Sequence, residues 1–127
     1  MPPLLTLVMP HYILNHMVQY QPRLDRAFAA ISDSTRRGIL ARLGRGDASI
    51  SDLAGKFEMT LTGMKKHVRV LEDAGLVTTE KVGRVRTAKL GPRRLTDESE
   101  WIQNYHQMLN ERLNRLEDFL ERTKGAP

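Results

Sequence analysis

The chain contains no cysteine. That excludes disulfides, thiolate metal sites and cysteine redox sensing together. Residues 1–22 contain no Asp, Glu, Lys or Arg. This opening stretch therefore lacks the basic start of a secretory signal, and it also lacks a small-residue cleavage site. Its apolar run is broken by Pro10 and is too short to span a bilayer, which points away from a membrane partner. There is no glycine-rich phosphate loop, no traceable nucleophile–base set and no carboxylate pair in a plausible cleft. The histidines, His11, His16, His67 and His106, are scattered over four segments. No catalytic residue can be assigned, and an enzyme is not expected. Internal repeats and low-complexity tracts are missing too. At 127 residues, the length fits one compact domain with an appended helix, long enough to bury a core without staples.

What the chain does have is an uneven distribution of positive charge. The net charge is +5. Residues 23–55 carry six basic and four acidic groups, residues 56–94 carry ten and four, and residues 95–127 carry four and seven. The excess in the middle segment is larger than the excess of the whole chain. Such concentration is the electrostatic footprint of a nucleic-acid binder.

The centre of that segment is Met59 to Val77, MTLTGMKKHVRVLEDAGLV. Thr60 is suited to cap a helix, because its hydroxyl can accept from an N–H left free in the first turn. Leu61, Met64, Val68 and Leu71 recur at helical spacing as a buried stripe. Thr62, Lys65, Lys66 and Arg69 recur on another face, which has no carboxylate before Asp73. Gly75 can end the helix in the left-handed conformation. One apolar face and one basic face suit an element lying in a DNA major groove. A solvated surface helix would show the same pattern.

The flanking segments supply a setting. Pro10 is followed by Ile13, Leu14, Met17 and Val18, one apolar face of a helix that Pro22 ends. Two readings fit this segment: it is buried against a second copy of the chain, or Met17 is the true start. Leu24, Ala27, Phe28 and Ile31 mark a short helix. Asp33 caps the next, running through Leu43 with Ile39, Leu40 and Leu43 inward. Arg36 and Arg37 lie in its first turn, against the helix dipole, either as surface arginines or as phosphate contacts. Ala48 to Ile50 can add a short strand. Ser49 or Ser51 then caps DLAGKF, and Glu58-Met59 turns into the central helix. Two helices joined by so few residues form a helix-turn-helix, whose second helix is the reader.

After Gly75, LVTTEKV and VRTAKL flank Gly83-Arg84 and read as a β-hairpin. Leu76, Val77 and Leu90 anchor its base, while Lys81, Gly83, Arg84 and Arg86 mark its tip. A basic tip beside a reader helix is a wing aimed at the minor groove and nearby phosphates. Taken alone, it can also be read as a hairpin that uses charge to discourage edge pairing, a reading that weakens beside the basic helix. Gly91-Pro92 then breaks the chain. Thr96 caps a last helix with Asp97, Glu98 and Glu100 at its positive end. Trp101, Tyr105, Met108, Leu109, Leu113, Leu116, Phe119 and Leu120 form an apolar stripe longer than a small core needs. A dimerisation helix is the economical reading, packed with the N-terminal helix.

The residues that carry a family likeness are AISDSTRRGIL at 30–40, LAGKFEMT at 53–60, KHVRVLEDAGLV at 66–77 and GRVRTAKL at 83–90. Four such pieces in order resemble the ArsR family of winged-helix transcriptional regulators, over about Tyr20 to Leu120. The fold expected is mainly α with a small β-hairpin wing. It has an apolar extension at 1–22, a winged helix-turn-helix at 23–92 and a dimerisation helix at 93–127. The resemblance implies a cytoplasmic, homodimeric repressor binding a palindromic site in double-stranded DNA. It places Thr60, Leu61, Thr62, Lys65, Lys66, His67 and Arg69 at the major groove. The interface is expected to use Ile13, Leu14, Met17, Trp101, Tyr105, Met108, Leu109, Leu116 and Phe119. Relatives often carry glutamine at the position of Leu61, serine at that of Lys65 and alanine at that of Gly63. Without the amide at 61, a bidentate contact to adenine is lost there. A thymine methyl contact or a place in the core remains open to Leu61.

Many relatives sense metals, but this chain has no cysteine ligands. On the last helix it offers only His106, without the acid–x–His partner of the family's other site. No metal and no cofactor is therefore expected. Other readings are a winged-helix module that meets an acidic protein partner, and a regulator switched by a small molecule between the terminal helices. The sequence does not name an effector.

Overall fold

A computed structural model describes residues 22–124. The chain divides into two units, one through Arg94 and one from Leu95. In the first, residues 22–31 are helical (α1). Then come α2 (Ser34–Leu43), β1 (Ala48–Ser49), α3 (Ile50–Lys56), α4 (Leu61–Asp73), β2 (Val77–Val82) and β3 (Val85–Leu90). The strands form one antiparallel sheet in the order β1-β3-β2. Ala48 faces Ala88, and the hairpin register runs from Val77 opposite Leu90 to Val82 opposite Val85.

Each internal helix starts where a side-chain oxygen is available three residues ahead of a free N–H. Asp33 accepts from the Arg36 N–H at 3.0 Å, Ser49 from Asp52 at 3.0 Å and Thr60 from Gly63 at 3.1 Å. These caps satisfy donors that the first turn cannot pair internally. The core is aliphatic: Ile39 and Leu43 of α2, Leu53 of α3, and Met64, Val68 and Leu71 of α4 meet Leu76, Val77 and Ala88 of the hairpin. This is a mainly helical winged helix-turn-helix with a small sheet.

Several sequence expectations shift by a residue or a face. Pro22 is itself helical, and the helix expected to end there lies outside the described residues. Ser49, not Ser51, caps α3, which starts at Ile50. Leu40 is only half-buried. Leu61 is 44% exposed, because it is the first residue of α4 and stands beyond the core that Met64 begins to fill. Leu90 is also exposed; it opposes the buried Val77 but ends its strand, and Ala88 is the inward residue of β3.

The turn between α3 and α4 is tight. The Met59 N–H donates to the Ala54 carbonyl at 2.9 Å, and that of Glu58 donates to Gly55 at 3.3 Å. That pairing needs a left-handed residue at the exit. Here it is Glu58, with φ 53. The same pairing ends α4, where Leu76 donates to Leu71 and Gly75 to Glu72. There the left-handed residue is Gly75, with φ 78.

Among its described residues, the second unit has one helix, α5 (Thr96–Lys124). Thr96 is its first residue rather than a cap lying outside it. Asp97 and Glu98 occupy the first turn and Arg122 and Lys124 the last, each sign matching the helix dipole. Trp101, Tyr105, Met108, Leu109, Leu113, Leu116, Phe119 and Leu120 are all exposed. The Trp101 and Tyr105 rings stack with centroids 5.7 Å apart. Among the described residues, no helix is long and apolar enough to cross a membrane.

A non-glycine residue in the left-handed region costs roughly 1 kcal/mol or more. Glu58→Gly removes that cost, and the added freedom of the unfolded chain offsets part of the gain. Chemical denaturation is expected to show the variant more stable by up to about 1 kcal/mol. A variant less stable than wild type would contradict the assignment of strain.

Candidate nucleic-acid interface

The burial of Met64, Val68 and Leu71 decides which residues of α4 face outward. Thr62, Lys65, Lys66 and Arg69 are then exposed together. Thr60, at the cap, is exposed as well.

The wing arises from the hairpin. Gly83 and Arg84 form a two-residue turn between Val82 and Val85, and Gly83 alone in it has a positive φ, 63. That is a type II′ turn, whose twist matches that of the flanking strands. Cross-strand partners share a face, so Val77 and Leu90, Thr79 and Ala88, and Lys81 and Arg86 lie on one side of the ribbon. This side carries the buried Val77 and Ala88 near its base and basic residues where it leaves the core. Val82 at the tip is 70% exposed.

Between the start of α4 and the wing lies an open groove of about 260 Å³. Lys65, Lys81, Arg84 and Arg86 converge on it, with Leu61, Val85, Ser49, Ile50 and Ser51 as its other walls. Beside it, a cavity of about 360 Å³ is lined by Lys65, Val68, Arg69, Thr79 and Arg86, together with Glu72. The structure thus joins Lys65 and Arg69 of α4 to the wing residues. Thr62 and Lys66 are exposed but line neither hollow.

His67 departs from the expected face. It is half-buried, and its Nδ1 lies 3.2 Å from Arg36 Nη1 and 4.0 Å from Asp33 Oδ2. Because a guanidinium can only donate, Nδ1 accepts and the neutral ring carries its proton on Nε2. One position along α4 turns a side chain by about 100°, which aims His67 at the start of α2 rather than along the Lys65 face. The arginines of α2 fold back onto α1. Arg36 donates to the carbonyls of Ala30 and Ala29, and Arg37 to those of Ile31 and Ser32. Both close the carbonyl end of α1.

Two polar residues in the basic cavity were missed by the sequence reading, which placed no carboxylate on this face before Asp73. Glu72 Oε2 accepts from the Thr79 hydroxyl at 2.8 Å, and Thr79 Oγ1 accepts from Arg86 Nη1 at 2.9 Å. The signal was available in the hairpin register. Arg86 faces Lys81, so it is the diagonal neighbour of Thr79 on one face. Ile13, Leu14 and Met17, expected at a dimer interface, lie outside the described residues. Among those described, no cluster of His, Asp and Glu could hold a metal ion.

Residues 31–80 match the model of a family described as a helix-turn-helix domain. The transcriptional repressor SdpR of Bacillus subtilis is 30% identical over 82 residues, covering 65% of this chain and 91% of SdpR. The HTH-type transcriptional regulator Rv2034 of Mycobacterium tuberculosis is 35% identical over 68 residues, 54% of this chain and 64% of that one. The matched stretch thus spans just under two thirds of that relative. The crystal structure of an ArsR family transcriptional regulator shares 38% identity, covers 72% of this chain and 94% of its own, and superimposes with a TM-score of 0.66. These are DNA-binding transcriptional regulators of the helix-turn-helix class, not enzymes. The chain belongs to the ArsR family.

The Asp33 cap at the start of α2 lies 4.0 Å from His67 of α4. The Arg36 N–H, and then the nearby charge of the Arg36 guanidinium, hold its carboxyl below the usual carboxylate range. A lowered carboxylate pKa stabilises the folded chain above the unfolded value, near 4, and the gain is lost as pH falls through the folded value. Asp33→Asn keeps a capping side chain but not the charge. Wild type is expected to be the more stable at pH 7, with the difference closing under acid. A difference that persists at pH 2 would contradict this account.

Proposed function

We propose that this regulator is a homodimeric, cytoplasmic repressor that binds an imperfect palindrome in double-stranded DNA. One observation carries the proposal: Lys65 of the reader helix and Lys81, Arg84 and Arg86 of the wing line a single groove. Helix α4 enters the major groove, with Thr60, Leu61, Thr62 and Lys65 toward base edges and Lys66 and Arg69 toward phosphates. The wing places Arg84 and Arg86 on the minor groove and its flanking backbone. His67 contributes from behind, through its contact with Arg36. Leu61, exposed at the head of α4, is set to touch a thymine methyl. The apolar stripe of α5 supplies the self-complementary surface that a two-fold dimer needs, and half-sites then lie about 10 bp apart.

Retardation of a fragment from upstream of the chain's own gene, surviving excess competitor DNA, supports this reading. Loss of all retardation to competitor would favour a module that docks on an acidic protein instead. Replacing Arg84 and Arg86 together by alanine is expected to weaken binding on every sequence and to flatten the salt dependence by about one unit per lost phosphate contact. An unchanged slope would reject the wing assignment. Lys65→Ala is expected to change which operator is preferred; a uniform loss would make Lys65 a backbone contact. Leu113→Asp with Leu116→Asp is expected to give a monomer by light scattering, and a dimer of unchanged mass would remove α5 from the interface.

A further inference from the structure

The cavity beside the reader helix holds three cations and one acid. Lys65, Arg69 and Arg86 line it, and Glu72 stands among them. Like charges this close push each other outward, and an exposed arginine is free to swing away. Arg86 does not. Its Nη1 donates to Thr79 Oγ1 at 2.9 Å, and the same hydroxyl donates its proton to Glu72 Oε2 at 2.8 Å. The carboxylate fixes the direction of the hydroxyl proton and so turns the oxygen's lone pairs toward the guanidinium. A charged acceptor at the end of such a chain strengthens each bond in it. The relay bridges two elements, since Glu72 is on α4 and Thr79 and Arg86 are on the hairpin.

We infer that Glu72 and Thr79 are positioning residues for DNA binding: they hold the Arg86 guanidinium beside the reader helix, oriented to meet a backbone phosphate. This rests on the DNA-binding reading above. It has a consequence that charge alone opposes. Glu72 carries the wrong sign for a surface that meets phosphates, so simple electrostatics has DNA bind tighter once that charge is removed. A positioning role has DNA bind more weakly.

The test uses the full chain and a duplex selected from random-sequence DNA by the wild-type protein. Affinities are measured across a salt series for Glu72→Gln, Thr79→Val, Thr79→Ser and Arg86→Ala. A thermal melt of each variant reports folding. Glu72→Gln and Thr79→Val are expected to weaken binding three- to ten-fold and to lower the slope of log affinity against log salt by about one unit. Thr79→Ser keeps the hydroxyl and is expected to restore both. In the Arg86→Ala background, Thr79→Val is expected to cost nothing further, since both changes remove one contact. Tighter binding by folded Glu72→Gln, or wild-type affinity in folded Thr79→Val, would overturn the relay while leaving the DNA-binding reading intact. A wild-type chain that binds no duplex would overturn both.

Discussion

The roll of α4 about its own axis is the constraint on which the rest of the interface depends. Met64, Val68 and Leu71 are buried against the core, and full burial of such side chains is worth roughly 1.5–3 kcal/mol each. No exposed lysine or arginine contributes on that scale through surface charge. Packing therefore decides the orientation, and the cations occupy the surface that remains. Lys65 and Arg69 face the wing because the apolar stripe faces the core. His67 points back to Arg36 and Asp33 for the same reason.

The hairpin extends this logic. Its inner face is apolar where it covers the core and basic where it runs past it, with Val77 and Ala88 giving way to Lys81 and Arg86. A two-residue turn keeps the ribbon narrow, and the Schellman exit at Gly75 starts it directly from the end of α4. Reader and wing are thus held close enough for Lys65 and Arg84 to line the same groove. A surface so rich in one sign is tolerated in the free protein because its charges are exposed and screened by salt over about 8–10 Å. The same charges become useful when they displace counterions from a duplex.

Much of this was legible in the residues themselves. Caps at Asp33 and Thr60, the stripe through Met64, Val68 and Leu71, and the glycine turn at Gly83 depend on neighbours within one turn of chain, and the structure has them as the sequence suggested. The misreadings fall where local pattern stops deciding. Leu61 continues the helical spacing but sits past the edge of the core. Leu90 shares a face with Val77 but ends its strand. For Arg36 and Arg37 the pattern left surface and phosphate roles both open, and it could not show that the last carbonyls of α1 lie within their reach and take them. His67, put at the groove by resemblance and not by spacing, meets Arg36 and Asp33 of a helix remote in sequence. The Glu72–Thr79–Arg86 chain depends on a strand register that no stretch of helix reveals.

The central claim is that two copies of this basic surface reach successive major grooves on one side of DNA. Hydroxyl-radical footprinting of the full chain on its selected duplex tests it most directly. The account predicts two protected patches on the same face, their centres about one helical turn, roughly 10 bp, apart, with weaker protection in the adjoining minor grooves. A single protected patch, or two on opposite faces of the duplex, would contradict it.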